Sequence, residues 1–264
     1  MPEDLTTPIL GAGAIAIFSA DWAFAALKAD GSVSAWGFAS YGGSNVPEDI
    51  ADPTPGKEVV TIASAAYAFV ALKADGSVKG WGTYGAADVP PSVVHPEPGQ
   101  EVVEIASTRP AFAALKADGP VSVWGNSVGG GSGAPADVTN PVPGAEVVAI
   151  ASNGKIYNGA FAALKADGSV PTWGDPTTGG SDAPVNVTAP PVGAEVIAIM
   201  STGLAFAALK ADGSVSVWGD ESCGGSGAPL DVTNPVPGFD VVAVASTSRA
   251  FAALKNGWLC FCVG

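Results

Sequence analysis

The sequence predicts an all-β protein: a six-bladed β-propeller built from four-stranded antiparallel blades. Three observations lead there. A segment typified by Ala23-Phe24-Ala25-Ala26-Leu27-Lys28-Ala29-Asp30-Gly31-Ser32-Val33, closed by Trp36-Gly37, occurs six times, with its Phe at Phe24, Phe69, Phe112, Phe161, Phe206 and Phe251. The steps between these residues are 45, 43, 49, 45 and 45, a period typical of propeller blades and solenoid units. Gly (35) and Pro (22) exceed a fifth of the 264 residues, yet 47% are apolar. With a period, that composition means many short strands and tight turns rather than disorder.

The third repeat shows the elements in order. Glu101-Val102-Val103-Glu104-Ile105-Ala106 is β-rich and forms strand a. After a short link, Ala111 to Lys116 forms strand b. Ala117-Asp118-Gly119 is a hairpin turn, since Gly accepts positive φ at little cost. Val121 to Trp124 forms strand c, ended by Gly125. A Gly-rich link leads to Pro135-Ala136-Asp137-Val138, assigned as strand d, and Asn140 to Gly144 turns into the next strand a. Ala-rich strands are weak β-formers alone and make sense where sheets pack closely. The Phe and Trp series, including Trp36, Trp81, Trp124, Trp173 and Trp218, supply packing between blades.

One propeller domain spans 1–264, with repeats at about 11–50, 56–94, 99–139, 144–188, 193–233 and 238–264 plus 1–6. The last repeat has no strand d, and Pro2-Glu3-Asp4-Leu5-Thr6 aligns with Pro47-Glu48-Asp49-Ile50-Ala51. The N-terminus is therefore expected to complete the last blade and close the ring, removing exposed sheet edges. A seven-bladed ring is the alternative if the chain is incomplete.

The net charge of −14, with eleven Lys and Arg of which six are the repeat lysine, argues against nucleic acid or an anionic membrane as partner. Cys223, Cys260 and Cys262 form neither a disulfide framework nor a persuasive zinc site. The acidic start lacks the positive region of a secretory signal, and turn residues break each apolar run before it reaches the roughly 20 residues of a membrane helix. Cellular location stays open.

Leu-Lys-Ala-Asp-Gly-Ser-Val-x-x-Trp-Gly, followed by Gly-Gly, resembles the repeat of the regulator-of-chromosome-condensation propeller family, over essentially the whole chain. The compact unit, with Val46-Pro47 before the next strand a, is most similar to short-repeat members such as the bacterial β-lactamase-inhibitor propeller. The resemblance implies the fold. For function it implies only a range: nucleotide exchange on chromatin, ubiquitin-ligase modules and enzyme inhibition. Members are often seven-bladed.

Repeated residues are scaffold; residues that differ between repeats are free to specialise. The a–b links vary most and carry large aromatic or basic side chains, the usual types at interface hot spots. Candidate protein-binding residues are Trp22, Tyr67, Arg109, Lys155, Tyr157, Leu204 and Arg249 from these links, with Phe38, Tyr41 and Tyr84 from the c–d links on the same face. The opposite face carries a repetitive acidic ring, Asp30, Asp75, Asp118, Asp167 and Asp212 with Glu58, Glu101, Glu146, Glu195 and Asp240. It is read as turn chemistry, because one Asp per blade does not gather the several oxygens of a calcium site.

The single His95 lies in a Pro-rich turn, and no nucleophile–base set, metal cluster or phosphate loop is recognisable. The expectation is a non-catalytic interaction module without cofactor or metal, a scaffold or accessory subunit of a larger protein assembly that binds one or more proteins. The alternatives are a secreted protein inhibitor of an enzyme and a regulator associated with a small GTPase or a ligase; a lectin ranks last.

Overall fold

Each repeat forms one three-stranded antiparallel sheet with the order a–b–c. The computed structural model describes residues 13–83, 85, 88–154, 158–256 and the backbone of 260–263. Sheet 1 contains Ala14–Ser19, Ala23–Lys28 and Val33–Gly37; sheet 2, Val59–Ser64, Ala68–Lys73 and Val78–Gly82. Sheet 3 contains Val102–Ser107, Ala111–Lys116 and Val121–Gly125; sheet 4, Val147–Ser152, Ala160–Lys165 and Thr172–Gly174. Sheet 5 contains Val196–Ser201, Ala205–Lys210 and Val215–Gly219; sheet 6, Val241–Ser246, Phe251–Lys255 and Cys260–Val263. These six sheets make an all-β architecture consistent with a β-propeller. Residues 1–6, expected to complete the last blade, lie outside the described residues.

The expected fourth strand is corrected in the first five repeats. In its place stand single helical turns, Glu48–Ala51, Pro91–Val94, Ala136–Thr139, Val185–Thr188 and Leu230–Thr233. The cause is the proline before each turn. Pro135 has φ −56° and ψ 149°, and its carbonyl accepts from the amides of Val138 and Thr139 at 3.0 and 3.1 Å. Amides spent within the turn cannot pair with strand c. One apolar residue per turn (Ile50, Val93, Val138, Val187 and Val232) is fully or almost fully buried beneath its sheet.

Every a–b pair carries a register shift near the start of strand a, between Ala14 and Ala16 in sheet 1 and between Val102 and Glu104 in sheet 3. Such a bulge adds one residue that opposes none and re-aims it. The bulged residues Ile15, Val60, Val103, Val148, Ile197 and Val242 are all exposed.

Alternation along strand b gives each sheet two apolar faces. One, here the forward face, carries the Ala-x-Ala-x-Leu positions. The rear face carries the Phe, the Trp of strand c and an aliphatic residue of strand a. The forward face of one sheet packs on the rear face of the next. Between sheets 3 and 4, Ala111, Ala113, Leu115 and Val121 meet Ile150, Phe161, Ala163 and Trp173. Phe161 stacks on Trp173 with centroids 5.2 Å apart, and the Trp173 indole N–H donates to the Gly130 carbonyl at 3.1 Å. A Cβ at Gly130, whose φ is +90°, would sit 2.7 Å from the Phe161 ring, so the link can pass under the rings only as glycine.

Polar contacts register the same joints. Lys73, Lys165 and Lys255 pair with Asp49, Asp137 and Asp231 of the preceding helical turn at 3.2, 2.9 and 3.0 Å. Strand-end serines form a ladder: the hydroxyls of Ser107, Ser152 and Ser201 donate to the carbonyls of Ser64, Ser107 and Ser152, each at 2.9 Å.

Candidate functional site

The a–b links begin where the serine ladder ends, and their backbones are tied to one another. The amides of Asp21, Ala66, Arg109, Gly154 and Gly203 donate in turn to the carbonyls of Ala66, Arg109, Gly154, Gly203 and Ser248, at 2.6 to 3.2 Å. Each link therefore borrows a strand-like hydrogen bond from its neighbour. The most variable part of the sequence thus stands on a backbone fixed by bonds from link to link.

On this platform four links converge. The Arg109 guanidinium bonds the Asp21 carboxylate at 2.7 Å and lies 5.5 Å from the centroid of the Tyr67 ring, in cation–π geometry. Tyr67 packs on Tyr41 at 4.7 Å, and Tyr41 on Phe38 at 5.0 Å. Trp22, Phe38 and Tyr41 line a cleft of about 270 Å³. Trp22 and Phe38 are 68% and 56% exposed, whereas Tyr41 and Tyr67 are half-buried. The bond to Asp21 raises the pKa of Arg109 further, so its charge is permanent. A second cleft, of about 340 Å³, runs beside the ion pair between Ser19 and Ser64.

Of the sequence-predicted residues, Trp22, Phe38, Tyr41, Tyr67 and Arg109 form this one cluster. Arg249 is exposed on the sheet 6 link, away from it in the chain of links. Leu204 is partly buried and packs into the core between sheets 5 and 6, so it serves the joint. Lys155, Tyr157 and Tyr84 lie outside the described residues.

The acidic face is held by local bonds. Asp30 accepts from the Ser32 amide and hydroxyl at 2.9 and 2.7 Å, and those bonds hold its pKa below the ordinary carboxylate range. Glu101, Glu146 and Glu195 accept from the amides of Gly99, Gly144 and Gly193. No group of three metal-ligating side chains occurs among the described residues, and none of their helices is long and apolar enough to cross a membrane. Sequence reasoning missed the row of bulged β-branched residues on this face, where Val60 and Val103 flank the Asp75-Gly76 turn. Its signal was present: Val59 and Ile62, and Val147 and Ile150, are three residues apart yet share one buried face, which strict alternation forbids.

A cleft of about 580 Å³ lies elsewhere, between the Glu48–Ala51 turn and sheet 2, with His95 in its wall. Its three lysines are ion-paired with two aspartates, Lys73 and Lys79 sharing Asp49 at 3.2 and 3.6 Å and Lys57 meeting Asp75 at 3.8 Å. The aromatic cluster, not this ion-paired patch, has unspent surface to offer.

No protein-family model matches the sequence, and no curated protein matches it. Solved structures do share the fold. Human WBSCR16 matches with a TM-score of 0.58 at 16% identity, over 94% of this chain and 76% of that one. Yeast RCC1 (Prp20), solved bound to Kap60, matches at 0.56 and 20% identity, over 94% and 69%. Prp20p from Saccharomyces cerevisiae, described with its binding to Gsp1p and histones, matches at 0.56 and 19%, over 94% and 71%. The ectodomain of the Physcomitrella patens receptor kinase CR4 matches at 0.51 and 16%. The chain spans 62% of that ectodomain's length. At such identities the likeness shows an RCC1-type propeller fold.

Proposed function

We propose that this chain is a non-catalytic protein-interaction module, a scaffold or accessory subunit of a larger assembly, and that it binds through the a–b and c–d link face at sheets 1 to 3. The observation that carries this reading is the Trp22–Phe38–Tyr41–Tyr67–Arg109 cluster. Exposed Trp and Phe standing on half-buried Tyr, beside an Arg fixed by an ion pair, combine the side-chain types on which interface energy concentrates. The tied backbone beneath them lowers the ordering cost of binding. The yeast neighbours engage proteins, Kap60 in one case and Gsp1p and histones in the other, which supports a protein as the partner here.

The test is affinity purification of the tagged chain from its source, with mass spectrometry, followed by a measured Kd for the partner found. The double variant Trp22→Ala with Phe38→Ala is expected to lose about 2 kcal/mol or more, roughly thirtyfold in Kd. A control pair on the opposite face, Val60→Ser with Val103→Ser, is expected to leave binding unchanged. Loss in the control with none in the aromatic variant would overturn the assignment of the face.

A further inference from the structure

Three residues of basic type, Lys57, Lys79 and His95, have no basic counterpart at the equivalent positions of other repeats. Lys79 lies opposite Ala71 in sheet 2, where the same register position holds Ser34 in sheet 1, Ser122 in sheet 3 and Ser216 in sheet 5. Lys57 follows its turn glycine at a position occupied by Gln100, Ala145, Ala194 and Phe239 in later repeats. His95 is the C-cap of its helical turn, where Asp52, Asn140, Ala189 and Asn234 cap theirs. Independent departures from a repeat have no reason to coincide in space, yet these three line the same cleft of about 580 Å³ beside sheet 2. They include two of the five basic residues outside the repeat lysine, and the single histidine, of a chain whose net charge is −14.

What this cleft holds unspent is charge rather than apolar surface. Its counterpart around Lys165 of sheet 4 sets one lysine against two aspartates, Asp137 at 2.9 Å and Asp167 at 4.0 Å. Here Lys57, Lys73 and Lys79 meet Asp49 and Asp75 among the described residues, so an excess of one negative charge becomes an excess of one positive charge. Lys73 is buried and donates a hydrogen bond to Asp49 at 3.2 Å. Lys57 and Lys79 stand 3.8 and 3.6 Å from their aspartates, beyond hydrogen-bond reach, so their ammonium groups keep donors for a ligand. We propose that this cleft binds a small ligand through a phosphoryl group, either the free phosphate ion or the phosphate of a monoester, held by Lys57, Lys79 and the imidazole of His95. A phosphoryl group carries close to two negative charges at neutral pH and three strong acceptor oxygens, which suits lysines acting as point charges. A single carboxylate brings one charge and two oxygens to a cleft that already contains two aspartates. The volume of about 580 Å³ falls in the range of small-molecule sites and leaves room for an organic group beside the phosphoryl. None of these residues belongs to the aromatic cluster, so the proposal stands independently of that cluster being a binding site.

Isothermal titration calorimetry on the full chain, at constant ionic strength in sodium chloride, tests this with inorganic phosphate, ribose 5-phosphate and, as the uncharged control, ribose. Saturable one-to-one binding of a phosphate compound is expected, with a Kd of about 1 mM or tighter, and none of ribose. Tighter binding of ribose 5-phosphate than of inorganic phosphate assigns the site to a monoester, and the reverse order assigns it to the free ion. Lys57→Gln with Lys79→Gln is expected to weaken binding at least about tenfold, through loss of two charge-assisted hydrogen bonds. Asp49→Asn is expected to tighten it, because one competing negative charge is removed; Asn186 already fills the equivalent position before Lys210, so the fold accepts the change. Circular dichroism verifies that each variant is folded. Trp22→Ala with Phe38→Ala is expected to bind phosphate as the unmodified chain does, which keeps this test separate from that of the aromatic cluster. No saturable binding of either phosphate compound up to about 10 mM overturns the proposal, as does binding that the folded lysine variant retains in full. A chain that ignores both compounds yet binds a phosphoserine peptide through Lys57 and Lys79 overturns the small-ligand assignment and makes the cleft a docking site for a phosphorylated protein.

Discussion

Phe161→Ala and Phe24→Ala remove the same ring from equivalent positions, and the structure separates their costs. Both rings stack on the Trp of their own strand c, at 5.2 Å for Phe161 and 5.5 Å for Phe24. That contribution is common to the two and cancels. Phe161 is fully buried under the Gly130 link and the forward face of sheet 3, whereas Phe24 is 44% exposed. Phe161→Ala loses the transfer free energy of the ring and leaves a cavity between two sheets, about 3–5 kcal/mol. Phe24→Ala loses transfer energy over roughly the covered half of the ring and opens no enclosed cavity, about 1–2 kcal/mol. The difference, about 2–3 kcal/mol, isolates what one neighbouring sheet contributes to one ring. Urea denaturation followed by tryptophan fluorescence measures it, at dilution where sedimentation shows monomers. Midpoints are to be compared at constant m, so that the shift reports stability. Equal losses for the two variants would refute the reasoning, because they would mean that the rear face of sheet 1 is covered in the monomer.

Three further outcomes follow from single contacts. The Trp124 indole N–H is buried without an acceptor among the described residues, while those of Trp81, Trp173 and Trp218 reach Gly42, Gly130 and Gly179. Trp124→Phe is therefore expected to cost less than Trp173→Phe by about 1–3 kcal/mol, the penalty of an orphaned donor, and equal losses in urea denaturation would count against it. The helical turn before buried Lys210 carries Asn186 at the position where the turns before Lys73, Lys165 and Lys255 carry the Asp49, Asp137 and Asp231 that pair with those lysines, and burial lowers the pKa of Lys210. The unfolded chain then holds that proton more tightly, so stability rises with pH between the folded pKa and the ordinary lysine value. Asn186→Asp is expected to stabilise by about 1 kcal/mol at neutral pH and to flatten that rise; a pH series of denaturation curves with the slope unchanged would reject the pairing. Burial raises the Glu104 pKa, so the folded state takes up this proton first as pH falls. Its contribution is present below the unfolded pKa and lost as pH rises through the folded one. Glu104→Gln is expected to abolish that loss and to be neutral or stabilising at pH 7, as thermal melts at pH 4 and pH 7 read directly.

Strands a, b and c were legible because six copies of one pattern reinforced each other. In the third repeat, strand b lies where the sequence places it, at Ala111–Lys116, and strand a is displaced by one residue, to Val102–Ser107. The segment around Val138 was misread for a physical reason. A single helical turn has too few residues to show a 3.6-residue period, and one buried Val among small polar neighbours looks like a strand with one inward position. Proline before it signalled a turn but not its direction. The cluster was legible as residue types and not as a cluster: Asp21, Tyr67 and Arg109 lie in three different repeats, and nothing in their spacing announces that Arg109 reaches back to Asp21. The bulge could have been read from the apolar spacing, since Val102 and Ile105 share the rear face of sheet 3 although strict alternation would put residues three apart on opposite faces.

The chain of bonds from link to link runs only between adjacent sheets, and this sets what the aromatic cluster depends on. Where each unit touches mainly its neighbours, free energy is stored largely locally, in each unit and its joints. Trp22, Tyr67 and Arg109 are positioned by sheets 1, 2 and 3, and the Arg109 amide is tied onward to the Gly154 carbonyl, so the joints from sheet 1 to sheet 4 fix their geometry. Along the chain of links, fraying that starts at sheet 6 must cross the 5–6 and 4–5 joints before it reaches the Gly154 link on which Arg109 leans. A molecule melted only at sheet 6 therefore keeps the aromatic cluster in place, and if the cluster binds as proposed, loss of binding on heating reports the melting of the first four repeats rather than of the whole chain.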